Sequence, residues 1–201
     1  GDDYWGHGMH KGLTHAIEPN NLLIHTPLII LDGVPREKAE HDHRLVQTTD
    51  LRRMIMALLS GKTIDDLPSR QYAFSRNEYA AQPVRGESFN KAYSITEGRY
   101  LLMVSGKGME MYDTKMDPAC QNNVLRFFSY GDGILKSNVI IGENLRFHFS
   151  SFWSSREQRI LRNKFYELKS ALYGKTLELY TAGGRDEKDM LGEMSFGEIA
   201  Y

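Results

Sequence analysis

The first 31 residues constrain the fold more than any other stretch of the chain. A polar, glycine-containing segment holds four of the seven histidines within 25 positions. It leads into a short apolar run at residues 26–31, which Asp32 and Gly33 close. An apolar run of this length, bounded by Pro and Asp-Gly, predicts a buried strand. Because α/β enzymes carry reactive groups on loops held by a rigid sheet, the pattern favours an α/β enzyme.

Composition and charge exclude several classes of protein. A chain of 201 residues with 41% hydrophobic and 25% charged residues can bury a substantial core. Its 25 basic and 26 acidic side chains give a formal charge of -1, so no overall field attracts nucleic acid or an anionic membrane. No apolar run approaches the length of a transmembrane helix. The sequence does not begin with Met, and we expect it to be a piece of a longer protein.

The single cysteine, Cys120, excludes an internal disulfide and a cysteine-based zinc site. It lies in a polar, turn-like stretch at residues 117–123. This setting predicts a passive thiol in a loop or a half-buried thiol, and not a nucleophile.

A first helix is predicted to begin at Thr48 or Thr49 and to end at Gly61. Its apolar residues recur at the spacing of one helical face: Leu51, Met54, Ile55, Leu58 and Leu59. We expect this face, with its methionines, to fill the core. The charged connection before it, residues 34–44, is expected to be solvated, although the His41-Asp42-His43 spacing is also compatible with a stray metal ion.

From residue 71 the apolar pattern changes to short alternating runs, which predict strands. These runs are residues 71–75, 91–96, 99–104 and 109–113. The Gly-containing connections between the last three predict hairpins and an antiparallel meander. Such a sheet needs another element to cover its apolar face.

A second, longer helix is predicted after a capping box formed by Ser154 and Glu157. Its apolar face consists of Ile160, Leu161, Phe165, Leu168 and Leu172, and Gly174 is expected to end it. Basic residues line its other faces: Arg156, Arg159, Arg162 and Lys164. A solvated helix face and an anion-binding surface are both compatible with this pattern.

Three blocks of sequence resemble the C-terminal half of the sulfatase branch of the alkaline phosphatase superfamily. The first is Gly-His-Gly-Met-His-Lys at residues 6–11, followed by Thr-Pro-Leu-Ile-Ile at 26–30. The second runs from Gln-Thr-Thr-Asp-Leu at 47–51 through Leu59 and includes the first helix. The third is Glu-Gly-Arg-Tyr-Leu at 97–101 with Glu-Met-Tyr-Asp-Thr-Lys-Met-Asp-Pro at 110–118, similar to a late hairpin of that family. Residues beyond 125 carry no resemblance.

The resemblance implies an α/β fold in two parts. Residues 1–65 would be the end of a large sulfatase-like domain with a mixed or parallel sheet. Residues 66–201 would form a smaller α+β subdomain with an antiparallel sheet, a packed C-terminal helix and a tail. The implied activity is hydrolysis of sulfate esters, on a sulfated small molecule or glycan.

The family's nucleophile motif, Cys/Ser-x-Pro-x-Arg, and its N-terminal pair of metal-binding aspartates are absent from this sequence. The resemblance therefore implies a missing N-terminal domain as a partner. It also implies formylglycine and calcium, or another divalent metal such as zinc or manganese, in the complete enzyme and none in this chain. The chain alone is expected to be inactive.

His7, His10 and Lys11 are the candidate catalytic residues. Ester transfer builds negative charge on oxygen, and fixed cationic donors stabilise that charge. By resemblance, Lys11 would lie near the family's sulfate-contacting lysine, with His10 as a rival for that position or as a metal ligand, and His7 would orient the loop. Asp2 and Asp3 form a weaker candidate metal pair, and His15 and His25 are expected to be structural.

Two other functions remain open. One is a phosphoester-handling relative, such as a phosphoethanolamine or phosphoglycerol transferase or a phosphodiesterase. The other is a module without catalytic activity, in which the sheet and the basic helix face bind an anionic glycan or a partner domain. The three histidine and lysine candidates could also be ordinary surface residues of a polar loop.

Overall fold

A four-stranded antiparallel sheet lies at the centre of the structure. The computed structural model describes residues 19, 21–31, 41–67, 69–77, 91–105, 108–125 and 155–193. The strands are β1 (Ala73–Asn77), β2 (Ala92–Thr96), β3 (Tyr100–Ser105) and β4 (Gly108–Asp113), and they lie side by side in chain order. The helices are α1 (Asn21–Ile24), α2 (Leu51–Leu59), α3 (Ser155–Ala182) and α4 (Glu187–Glu193). The described chain is thus mixed α and β, and the predicted meander is confirmed.

The register of the strands separates two faces of the sheet. Tyr93 pairs with Val104, and Ile95 pairs with Leu102. Because alternate side chains of a strand point to opposite faces, these four residues share one face of the sheet. That face belongs to the main hydrophobic core, which also contains buried residues of α3: Leu161, Phe165, Leu168, Leu172 and Tyr180. Complete burial of each large apolar side chain contributes about 1.5–3 kcal/mol.

The long helix differs from its prediction at both ends of its apolar face. Ile160 is 42% exposed, whereas its neighbour Leu161 is buried. Gly174 does not end α3, which continues to Ala182 because Thr176 and Tyr180 extend the buried face beyond it. A glycine inside a helix costs only about 1 kcal/mol, which this burial offsets. The helix ends at Ala182, and Gly184, two residues beyond, has the positive φ of 73° that suits a glycine after a helix terminus.

The predicted helix at residues 51–59 is confirmed as α2, but most of its apolar face is not core. Met54 is 4% exposed, whereas Ile55 is 55%, Met56 60% and Leu59 77% exposed. The expectation that its methionines fill the core therefore holds for Met54 and is wrong for Met56. The residue that precedes α2 as its N-cap is Asp50 and not a threonine, and its carboxylate accepts a hydrogen bond from the backbone N–H of Gln47.

The predicted buried strand at residues 26–31 is wrong. The described segment after α1 has no regular secondary structure, and Ile29 and Leu31 are 79% and 93% exposed. A strand is stable only where a neighbour pairs with its backbone N–H and C=O groups. The sheet formed by the described residues contains β1 to β4 alone, so this segment has no neighbouring strand there. No parallel pairing occurs among the described strands.

None of the described helices combines the length and the apolarity that crossing a membrane requires. α3 has 28 residues, but charged side chains are distributed along it.

Two ion pairs fix the loops around this core. Arg99, in the turn between β2 and β3, donates to Asp113 at the end of β4: its Nε lies 3.1 Å from both carboxylate oxygens, and its Nη2 lies 2.7 Å from Oδ2. Asp113 is 2% exposed and also accepts the backbone N–H of Lys115. Arg70 donates similarly to Asp50, which is 1% exposed, at 2.5 and 2.6 Å. Each buried carboxylate is thus compensated by a guanidinium and backbone donors.

We expect Asp113→Asn to lower the free energy of unfolding by about 2 kcal/mol, because hydrogen bonds to a buried charged group contribute about 1.5–3 kcal/mol. Urea unfolding followed by circular dichroism measures this loss. Glu178→Gln is the control, because Glu178 forms an exposed pair with Lys175 on α3 and should change stability little. Equal unfolding midpoints for the two variants would show that the Arg99–Asp113 pair does not stabilise the hairpin.

The Asp50–Arg70 pair makes stability depend on pH. The hydrogen bonds from Arg70, opposed by burial and assisted by the Gln47 N–H, hold the pKa of Asp50 below its ordinary value of 3.8. The unfolded chain therefore binds this proton at a higher pH than the folded chain does. The stabilisation is present above the unfolded pKa and is lost as the pH falls through the folded pKa.

Asp50→Asn should consequently destabilise the protein most at neutral pH. We expect the difference in unfolding free energy between this variant and the wild type to narrow as the pH is lowered below about 4. Urea titrations at pH 7, 5, 4 and 3 measure this difference. Asp65→Asn, at an exposed neighbouring position, is the control and should show a small difference throughout. A difference for Asp50→Asn that stays constant with pH would contradict the assignment.

Candidate functional site

The three candidate catalytic residues, His7, His10 and Lys11, lie outside the residues that the structure describes, as do Asp2, Asp3 and His15. Their predicted roles stay predictions. The described chain resumes as a continuous segment at Asn21, ten positions after Lys11. The surroundings of this first helix are therefore the described region nearest in sequence to the candidate loop.

The helix α1 lies against the second face of the sheet. The Asn21 side-chain amide donates to the carbonyl oxygen of Pro118 at 3.0 Å. Ile24 packs against a small buried cluster formed by Leu101, Met103, Tyr112 and Cys120. The segment that follows the candidate loop is thus attached to the turn after β4.

Ser94 is a buried polar residue that sequence reasoning missed. Its hydroxyl is fully buried, and within the described structure it has no hydrogen-bond partner. The sequence alternation Tyr93-Ser94-Ile95 indicated only that Ser94 points away from the main core. Its neighbours in register are Ser75 and Met103, which are neither acid nor base. The register therefore provides no partner that would activate Ser94 as a nucleophile.

Cys120 has the properties of a structural cysteine. Its side chain is fully buried in the cluster under Ile24, more deeply than the half-buried thiol that the sequence suggested. Burial raises its pKa to about 11, and a backbone hydrogen bond from Asn21 only partly opposes this shift. Since the thiolate is the reactive form, the thiol is a poor nucleophile at neutral pH. Its positive φ of 52° holds a tight turn after Pro118.

The Cys120 thiol should react slowly with a thiol reagent at pH 8 in the native protein. Burial and the raised pKa both reduce the accessible thiolate, so we expect at least a tenfold slower reaction than in urea-unfolded protein at the same pH. Labelling with dithionitrobenzoate measures the two rates. Rapid native labelling would contradict the structural assignment. Ile24→Ala tests whether Ile24 shields the thiol. Removing this side chain, which packs on the cluster around Cys120, should accelerate labelling of Cys120.

The described histidines show no arrangement for holding a metal ion. His25, His41 and His43 are exposed, and Asp42 pairs with Arg44. Arg44 in turn donates to the carbonyl oxygen of Leu67 at 2.9 Å. The Asp42–Arg44 pair therefore attaches the segment before α2 to the segment after it. Within the described ranges, no group of three or more His, Cys, Asp or Glu side chains could ligate a metal.

A cluster of titratable groups joins α3 to the edge of the sheet. Lys164 contacts Glu97 at 3.1 Å and Glu167 at 3.0 Å, and the Tyr72 hydroxyl donates to Glu167 at 2.8 Å. Hydrogen bonds from Lys164 and Tyr72 lower the pKa of Glu167, and its carboxylate raises the pKa of Lys164. Both groups therefore stay charged at neutral pH. An acid–base catalyst needs a pKa near the working pH, so this cluster is better suited to holding the helix in place.

The chain was compared with models of known protein families and gave no match, and comparison with curated protein sequences also gave none. Function is therefore inferred from the residues and motifs of this chain.

Proposed function

We propose that this chain is the C-terminal part of a sulfatase-like hydrolase that acts on sulfate esters. In this proposal the chain contributes the end of the substrate cleft and a supporting subdomain. The nucleophile and most metal ligands belong to an N-terminal domain, so the chain alone does not turn over substrate.

The observation that carries this proposal is the link between Arg99 and Asp113. These residues lie in the two segments of the third resemblance block, 14 positions apart. Besides the ion pair, the backbone N–H and the hydroxyl of Thr114 both donate to the carbonyl oxygen of Arg99 at 2.8 Å. The two segments thus form one hydrogen-bonded unit, as a hairpin of the family type requires. The contact of Asn21 with Pro118 also attaches the short helix α1, which lies between the two parts of the first block in sequence, to this unit.

The antiparallel sheet covered by a C-terminal helix is also consistent with the proposed subdomain. The segment at residues 26–31 lends no support, because it lies outside the sheet. The proposal consequently depends on the hairpin and on the candidate loop, and not on the parallel sheet that the resemblance implies.

In the proposed mechanism, His7, His10 and Lys11 bind and neutralise the oxygens of a sulfate group. A cationic donor fixed near these oxygens stabilises the negative charge that develops as the ester bond breaks. A calcium ion in the complete enzyme would add Lewis-acid stabilisation of the same charge. Within the described ranges no group of three or more His, Cys, Asp or Glu side chains could hold this ion, so the proposal names no metal ligand among those residues.

Binding of inorganic sulfate to the full chain tests the proposal. We expect the double variant His10→Ala/Lys11→Ala to bind sulfate about tenfold or more weakly, because two charge-assisted contacts are lost. Isothermal titration calorimetry measures the dissociation constant. Lys62→Ala, which removes an exposed lysine next to α2, is the matched control and should leave binding unchanged.

Three results would contradict the proposal. Unchanged sulfate binding by the double variant would exclude the candidate loop as the anion site. Tighter binding of inorganic phosphate than of sulfate at the same loop would favour the phosphoester-handling relative. Metal-dependent hydrolysis of an aryl sulfate by this chain alone would show that the catalytic groups are misplaced.

A further inference from the structure

The exposed side of α3 carries three arginines close together, which the proposed function does not use. Arg156, Arg159 and Arg162 are all exposed and follow one another at intervals of three residues. We call these three residues the arginine row. The buried side of the same helix, with Leu161 and Phe165, faces the core. The arginine row therefore plays no part in packing the helix onto the sheet.

The arginines of the row differ from Lys164 and Lys175 of the same helix in their ion pairs. Lys164 and Lys175 each contact a glutamate of the described chain. Among the ion pairs of the described residues, none involves a member of the arginine row. Surface cations that serve only solubility are commonly interspersed with acidic residues, whereas residues 155–165 contain four basic residues and one acidic residue, Glu157.

The geometry of the row favours an extended anion over a compact one. In an α-helix a step of three residues rises about 4.5 Å, so the row extends over about 9 Å along the helix. The three cations are arranged along a convex, exposed surface, which suits repeated contacts along a chain of anions. The row also begins at the second residue of α3, where the helix dipole adds positive potential.

We propose that the arginine row binds a sulfated glycan chain outside the catalytic cleft. Guanidinium groups form paired hydrogen bonds with oxyanions such as sulfate, which makes arginine suited to this ligand. Tyr166, 48% exposed and one turn beyond Arg162, adds a ring edge next to the row. The choice of a sulfated glycan over other linear polyanions rests on the proposed function, since a sulfate-ester hydrolase needs sulfated substrates. Such a surface would give a polymeric substrate a second point of attachment on the chain.

Binding of a size-defined heparin octasaccharide to the full chain tests this proposal. We expect Arg156→Gln/Arg159→Gln/Arg162→Gln to weaken binding by about tenfold or more, because three charge-assisted contacts are lost. The wild-type affinity should also fall steeply with added salt, and the salt dependence should be smaller in the variant. Fluorescence anisotropy of the labelled octasaccharide measures both. Arg52→Gln/Arg53→Gln/Lys62→Gln, on and after α2, removes the same net charge from exposed positions and should bind as the wild type does.

The outcomes separate this inference from the proposed function. If the triple arginine variant binds the octasaccharide as tightly as the wild type, or if both triple variants weaken equally, the arginine row is not a glycan site. If a single-stranded oligonucleotide of equal charge binds the row as tightly as the octasaccharide does, the occupant is not specific to sulfated glycans and the proposal is overturned. His10→Ala/Lys11→Ala should leave octasaccharide binding to the row intact. If sulfate does not bind at the loop, the proposed function is therefore refuted, whereas octasaccharide binding by the arginine row is still tested separately.

Discussion

The packing of α3 on one face of the sheet is the interaction on which the rest of the described structure depends. A four-stranded meander with Tyr93, Leu102 and Val104 on one side would expose a large apolar surface by itself. Phe165, Leu168 and Leu172 belong to the same buried cluster and remove that surface from water. Because this contact joins residues that are far apart in sequence, neither the hairpins nor the helix should be stable alone. The contacts of Lys164 with Glu97 and of Tyr72 with Glu167 then fix the position of the helix at the edge of the sheet.

The parts of this fold that the sequence predicts well are those with a clear periodicity. Alternation identified the strands around Tyr93, Leu102 and Met111, and the helical spacing of Leu161, Phe165 and Leu168 identified the helix that covers them. Gly174 misled because a glycine stops a helix only where no burial continues past it, and here Tyr180 continues the core. The predicted burial of the apolar face of α2 and of residues 26–31 was wrong for a different reason. Apolar character predicts burial only where a partner surface exists, and a periodicity does not contain that information.

The candidate site was less accessible to sequence reasoning than the fold. The hairpin motifs at residues 97–101 and 110–118 could be recognised, and the structure joins them through Arg99 and Asp113. The depth of Cys120 could not be read from the sequence, because it follows from the packing of Ile24 on the cluster at the second face of the sheet. The complete burial of Ser94 was likewise not visible in the alternation of β2. The paired groups of the described chain are held in their charged states by their partners, which is typical of structural contacts. The described pairs are therefore structural, and the candidate catalytic role of the histidines and lysine near residue 10 stays a prediction.

The exposed apolar segment after α1 has a consequence for the behaviour of the chain in solution. Leu28, Ile29 and Leu31 are bulky, two of them more than three-quarters exposed, and they lie in a stretch with high strand propensity. Such a stretch is a template for intermolecular β pairing when two copies meet. A high protein concentration therefore favours oligomers that form through residues 26–31. The sheet and its covering helix can remain fully folded in such oligomers.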